Sequence, residues 1–111
     1  MESFSLTSFN SASRLIRAHR RLLIFSSCLE VERPGLVRAE AEGYLPLKVC
    51  MEESMFNVVA LKVASILARV PLREVKVLTV DGSPHCIQLH HAVEEAFRIA
   101  RPGCRLRHLV V

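Results

Sequence analysis

Apolar residues recur along this chain with two periods. Leu22–Phe25 (LLIF) is an unbroken apolar run, the pattern of a strand buried on both faces. Leu45–Cys50 (LPLKVC) reads as a second strand, and Pro46, which removes a ladder donor, predicts that it lies at a sheet edge. Glu74–Val80 (EVKVLTV), dense in β-branched residues, is the third and Arg105–Val111 (RLRHLVV) the fourth. The other period is helical. Leu89, Ala92, Val93, Ala96, Phe97 and Ala100 fall on one stripe of a helix from about His85 to Ala100, which Pro102-Gly103 ends. Glu53–Arg69 predicts a helix that is apolar almost all round, hence well buried, with Glu52 and Glu53 at its dipole-positive start. Ser11 or Ser13 caps a short first helix running to about His19, with Leu15 and Ile16 inward and Arg14, Arg17, Arg20 and Arg21 outward. Residues 29–43 say less: Pro34-Gly35 is a turn, and Leu36–Glu42 makes a short helix closed by Gly43.

Strands that alternate with helices across short connections predict a mostly parallel sheet with helices on both faces. The expected architecture is a single small flavodoxin-like or Rossmann-like α/β domain over residues 11–111 with about four strands. Their expected spatial order is second, first, third, fourth. An antiparallel edge stays open, because 29–43 need not be a helical crossover. Residues 1–10, rich in Ser and Phe with one charge, read as a flexible extension that can pack Phe4 or Phe9 back on the domain.

The length of 111 residues allows one core and little more, and the 50% hydrophobic content excludes wholesale disorder. No apolar run is long enough to span a bilayer, and MESFSLTSFN is not a secretory signal, so a cytoplasmic setting without membrane contact is expected. The formal charge is +4, and three lysines (Lys48, Lys62, Lys76) leave arginine to supply the rest of the 15 cations. Many Glu and Arg with few amides suit a thermophile, although a GC-rich genome gives the same arginine bias. Aromatics are only 5%, so the basic first helix reads as a solvated face and nucleic acid is not an expected partner. A homodimer or a protein partner is compatible with the apolar helix 53–69.

The cysteines carry the candidate chemistry. In an open α/β sheet, ligands bind outside the carboxyl ends of the strands, where the strand order reverses. Cys28 lies just past the first strand, Cys50 ends the second, and Cys86 follows the third at the start of a helix. Cys104 precedes the fourth strand and belongs at the opposite edge. Neighbouring strands lie about 4.8 Å apart. Cys28 and Cys86 are therefore expected to share a site within disulfide range, with Cys50 nearby and Cys104 remote. Cys86 is the stronger candidate nucleophile, since a helix N-terminus and a protonated His85 both favour a thiolate. Cys28, Cys50, Cys86 and His85 also form a Cys₃His set of the kind that holds zinc, and an iron–sulfur cluster uses three or four such ligands. Against both stands the ordinary role of cysteine as a small buried hydrophobe.

The loop DGSPHC (Asp81–Cys86) adds Asp81, Gly82 and Ser83 as candidate ligand-binding residues. Gly82 and Ser83 allow close backbone approach, and free N–H groups at a helix start favour anions. Asp81, the single aspartate, has a carboxylate to orient His85, bind a ribose hydroxyl or help hold a metal. The same residues make an ordinary turn and N-cap. There is no Cys-x-x-Cys pair, no glycine-rich nucleotide fingerprint and no Walker motif, and CLEVER (Cys28–Arg33) is one residue short of a Cys-x₅-Arg phosphatase loop. Two function classes follow. One is a thiol-redox or metal protein using Cys28, Cys86 and Cys50, tuned or ligated by His85. The other is a non-catalytic domain that binds a small anion or a protein, with structural cysteines or a stabilising disulfide.

Val77–Ala96 (VLTVDGSPHCIQLHHAVEEA) resembles a segment of small uncharacterised α/β proteins of archaea, a likeness of about twenty residues that implies a fold and no activity. Cysteines at strand ends also resemble those of cluster-binding flavodoxin-like hydrogenase subunits, but the paired-cysteine motif of those proteins is missing here, and neither likeness implies a site residue.

Overall fold

Five strands form one parallel sheet, and the central strand shows how. In β2 (Arg21–Ser26), Leu22 and Ile24 belong to one buried cluster while Leu23 and Phe25 belong to another. Side chains alternate across a strand, so an unbroken apolar run buries both faces at once. All four are fully buried, each contributing about 1.5–3 kcal/mol relative to exposure. The structure, a computed structural model, describes residues 3–111.

The remaining elements are β1 (Phe4–Ser5), α1 (Arg14–His19), α2 (Cys28–Glu32), α3 (Pro34–Glu40), β3 (Leu45–Val49), α4 (Phe56–Arg69), β4 (Glu74–Thr79), α5 (Pro84–Ala100) and β5 (Arg105–Val110). The sheet order is β1-β3-β2-β4-β5 with every pairing parallel. The expected order of the four main strands and the helices on both faces are thus present. The larger cluster joins Ile16 of α1, Val59, Val63 and Ile66 of α4, and Leu89 and Val93 of α5 to one side of the sheet. The smaller joins Leu29 of α2 and Val37 of α3 to the other. Among the described residues no helix is long and apolar enough to cross a membrane.

Several local expectations change. The stretch 1–10 supplies a fifth strand: Phe4 and Ser5 pair with Leu47 and Lys48, and Leu6 is fully buried. Its apolar residues outweigh its loop-like composition, with Phe4 and Phe9 packed against the larger cluster. This strand displaces β3 from the sheet edge. The pairing begins only at Leu47, so Pro46 still has no β1 partner, which fits its missing donor. Among the described residues no edge is antiparallel, because 29–43 does cross over, through two short helices. Ser13, not Ser11, caps α1, accepting a hydrogen bond from the Leu15 N–H at 3.2 Å. Only Ile16 of α1 is buried, while Leu15 is exposed. Helix α4 begins at Phe56, after a turn in which the Glu53 and Ser54 N–H groups both donate to the Cys50 carbonyl. It is not buried all round: Val58 and Leu61 are exposed, and Leu61 shares a surface hollow with Ile99 of α5.

Candidate functional site

From β2 the chain crosses through α2 and α3 to β3 on one side, and from β3 through α4 to β4 on the other. The order therefore reverses beside β2, and the crevice that forms there opens at the carboxyl ends of β2, β3 and β4. It is a cleft of about 140 Å³. Cys28, Cys50, Cys86 and His85 all line it, over a floor of Val49, Met51 and Leu89.

Each thiol is placed by a strand end. Cys28 is the first residue of α2 and is exposed, its Sγ 3.2 Å from the Ser26 hydroxyl. Cys50 follows β3 and is half-buried. Cys86, in the first turn of α5, is only 4% exposed, and its Sγ accepts a hydrogen bond from the Val80 N–H at 3.5 Å. Ser83 caps α5, its hydroxyl accepting from the Cys86 N–H at 3.4 Å. His85 Nε2 lies 3.2 Å from Glu52 Oε1, so an ion pair across the turn marks the rim when the imidazole is protonated. All four cysteines are free thiols.

The expected residues do not all converge. Asp81 and Gly82 are exposed and lie outside the lining; the Asp81 N–H donates to the Val111 carbonyl, and Gly82 takes the left-handed φ of +81° that the turn needs. Of that trio only Ser83 reaches the cleft, with its oxygen already used as a cap. Cys104 lies before β5, remote from the cleft, where burial pushes its thiol pKa up. Among the described residues no group of three or more His, Cys, Asp or Glu side chains is arranged to hold a metal ion, so Cys28, Cys50, Cys86 and His85 share a cleft without forming a coordination sphere. The β2–α2 turn, where a dinucleotide-binding domain keeps its glycine-rich phosphate loop, reads Ser26-Ser27-Cys28 and contains no glycine. These residues do not fit a pyrophosphate.

Two polar clusters went unforeseen. Thr79 Oγ1 lies 2.7 Å from His90 Nε2, and the His90 Nδ1 meets the His108 Nδ1. A hydroxyl, a histidine and an orienting partner in line resemble a nucleophilic triad, but Thr79 is 1% exposed and no substrate can reach it. Burial, and then His108, hold the His90 pKa below its ordinary value. On the opposite face Lys76 and Glu74 are buried. Lys76 Nζ pairs with Glu40 at 2.9 Å and sits 4.0 Å over the Tyr44 ring, while Tyr44 donates a hydrogen bond to Glu74. The alternation of EVKV held the only signal for this second cluster: two charges on the face that Leu78 buries.

A family model described as a Rossmann-like domain matches residues 14–111, and the chain belongs to that family. Comparison with curated proteins and with solved structures finds no match.

Proposed function

We propose that this Rossmann-like domain carries out thiol–disulfide exchange at the cleft above β2. The observation that carries the reading is that Cys28, Cys50 and Cys86 line one crevice at the reversal of strand order. The exposed Cys28 makes the first attack, because a nucleophile must be reached before its reactivity matters. Its thiolate attacks one sulfur of a small disulfide. That S–S bond breaks, a mixed disulfide forms, and the departing thiolate takes up a proton. The Cys86 thiolate then attacks the Cys28 sulfur and releases the second small thiol. The protein loses two electrons and the small disulfide gains them. Cys50 borders the reaction, and His85, which contacts Glu52 and lines the same cleft as Cys86, accepts the proton.

This role suits a reducing compartment such as the cytoplasm, where the dithiol form rests. Zinc or an iron–sulfur cluster is the less favoured use of these thiols, given the absence of a coordination sphere among the described residues. The test is thiol counting on protein treated with a small neutral disulfide, followed by peptide mapping. A Cys28–Cys86 disulfide, reversed by reductant, is expected. Four unreacted thiols after prolonged treatment would refute the reading. Self-association across the exposed Val58, Leu61 and Ile99 accompanies the proposal, and sedimentation of the protein against its Leu61→Glu variant tests it.

A further inference from the structure

A second open space adjoins the cleft, and Val49 and Cys50 line both. It measures about 360 Å³ and lies between β1, α2 and the turn after β3. Four hydroxyls line it, from Ser5, Thr7, Ser27 and Ser54. Its charged residues are Glu30, Lys48 and Glu53. Glu30 and Lys48 offset one another at 3.2 Å. A hydrogen bond from Ser3, aided by Lys48 and opposed by burial, holds the Glu30 carboxyl below its ordinary pKa, so Glu30 stays ionised. Glu53 is exposed and has no ion-pair partner among the described residues. Among the described residues the space therefore holds one uncompensated negative charge, in a chain whose formal charge is +4. The turn at Cys50 sets this up. Its carbonyl accepts from the Glu53 and Ser54 N–H groups at 3.1 and 2.9 Å, and the two adjacent carboxylates part, Glu52 to the thiol cleft and Glu53 to the hydroxyl-lined space.

We infer that the thiol site takes a small disulfide bearing an ammonium group, with the reacting sulfur in the Cys28 cleft and the ammonium against Glu53 in the adjoining space. This rests on the exchange reading and adds the class of its oxidant. An ammonium offers three donors and no acceptor, which Glu53 and the surrounding hydroxyl oxygens can satisfy. Lys48, held by Glu30, does not oppose it. The net charge of the whole chain would favour an anion, so a preference for a cation reports the local pocket.

The experiment compares cystamine, bis(hydroxyethyl) disulfide and dithiodipropionate, which are cationic, neutral and anionic reagents of similar length. The rate of Cys28 modification by each is followed by mass spectrometry and divided by its rate with an unstructured cysteine peptide. Cystamine is expected to lead the neutral reagent by about two- to fivefold, the range of one exposed ion pair, with the anion slowest. The lead should vanish in Glu53→Gln, a change at an exposed turn position, and should shrink with added salt in the unaltered protein. Equal normalised rates, or a preference for the anion, would overturn the inference and leave the exchange reading intact. If none of the three reagents modifies Cys28, both fall together.

Discussion

Thr79 and His90 meet at 2.7 Å, which ties the carboxyl end of β4 to the body of α5. His90 is also flanked by His108 of β5 and, along its own helix, by His91 and Glu94. Its pKa lies below the ordinary histidine value because of burial first and His108 second; Glu94 pulls the other way. The unfolded chain takes up this proton at about pH 6.5, while the folded chain resists until the pH is lower. Between those points the unfolded state binds more protons, so stability falls as pH falls and levels off once the folded site is protonated. Urea midpoints measured from about pH 7.5 down to about pH 5 should drop more steeply for the wild type than for His90→Gln. Parallel profiles would show that this histidine does not set the slope.

Lys76 is buried beside Glu40, 2.9 Å from its Nζ, and lies over the Tyr44 ring. Removing the carboxylate with Glu40→Ala strands that ammonium. Glu40 is itself partly exposed, so the loss should fall in the lower range for an unsatisfied buried group, about 1–2 kcal/mol. Adding Lys76→Met should recover much of it, since an apolar side chain of similar length needs no partner. Urea unfolding of the single and double variants checks this, and an additive double variant would show that the pair is not coupled.

Two apolar truncations should separate the core from the surface. Phe25 is fully buried in the smaller cluster, and Phe25→Ala should cost about 3–5 kcal/mol. Leu61 is 65% exposed, and Leu61→Ala should change the stability of the monomer by no more than about 0.5 kcal/mol. Similar losses at both positions would mean that Leu61 is covered in solution.

Alkylation should follow accessibility. With limiting iodoacetamide, Cys28 should react first and Cys86 last, with Cys50 and Cys104 between them, as read by peptide mass spectrometry. All four should react at similar rates after denaturation. Early labelling of Cys86 would mean that the first turn of α5 opens readily.

The sheet was legible because its signals are local. LLIF has the pattern of a strand buried on both faces, and Pro71, Pro84 and Pro102 punctuate the helices. The convergence of Cys28, Cys50 and Cys86 followed from the strand ends together with the rule for switch points. What was hidden depends on pairing across the sequence. Phe4 and Leu6 look like loop residues until Leu47 and Lys48 are placed beside them. His90 and His108 meet only because β5 docks on β4, in a register that sets His108 beside Val77. Glu52 looked like a helix-dipole residue, yet the helix starts four residues later and the turn turns it toward His85.

The pairing of β1 with β3 also orders events in time. Phe4 leaves the ribosome more than forty residues before its partner Leu47, and β3 must itself find β2 before it can present an edge. Leu6 therefore stays exposed through the early part of synthesis, with the apolar surface it will later help to cover. Parallel pairings of this separation form slowly, because a long loop must close before any contact rewards it. A strand made before those it joins is thus among the last to be placed, and until then the nascent chain offers chaperones a short apolar stretch around Phe4, Leu6 and Phe9.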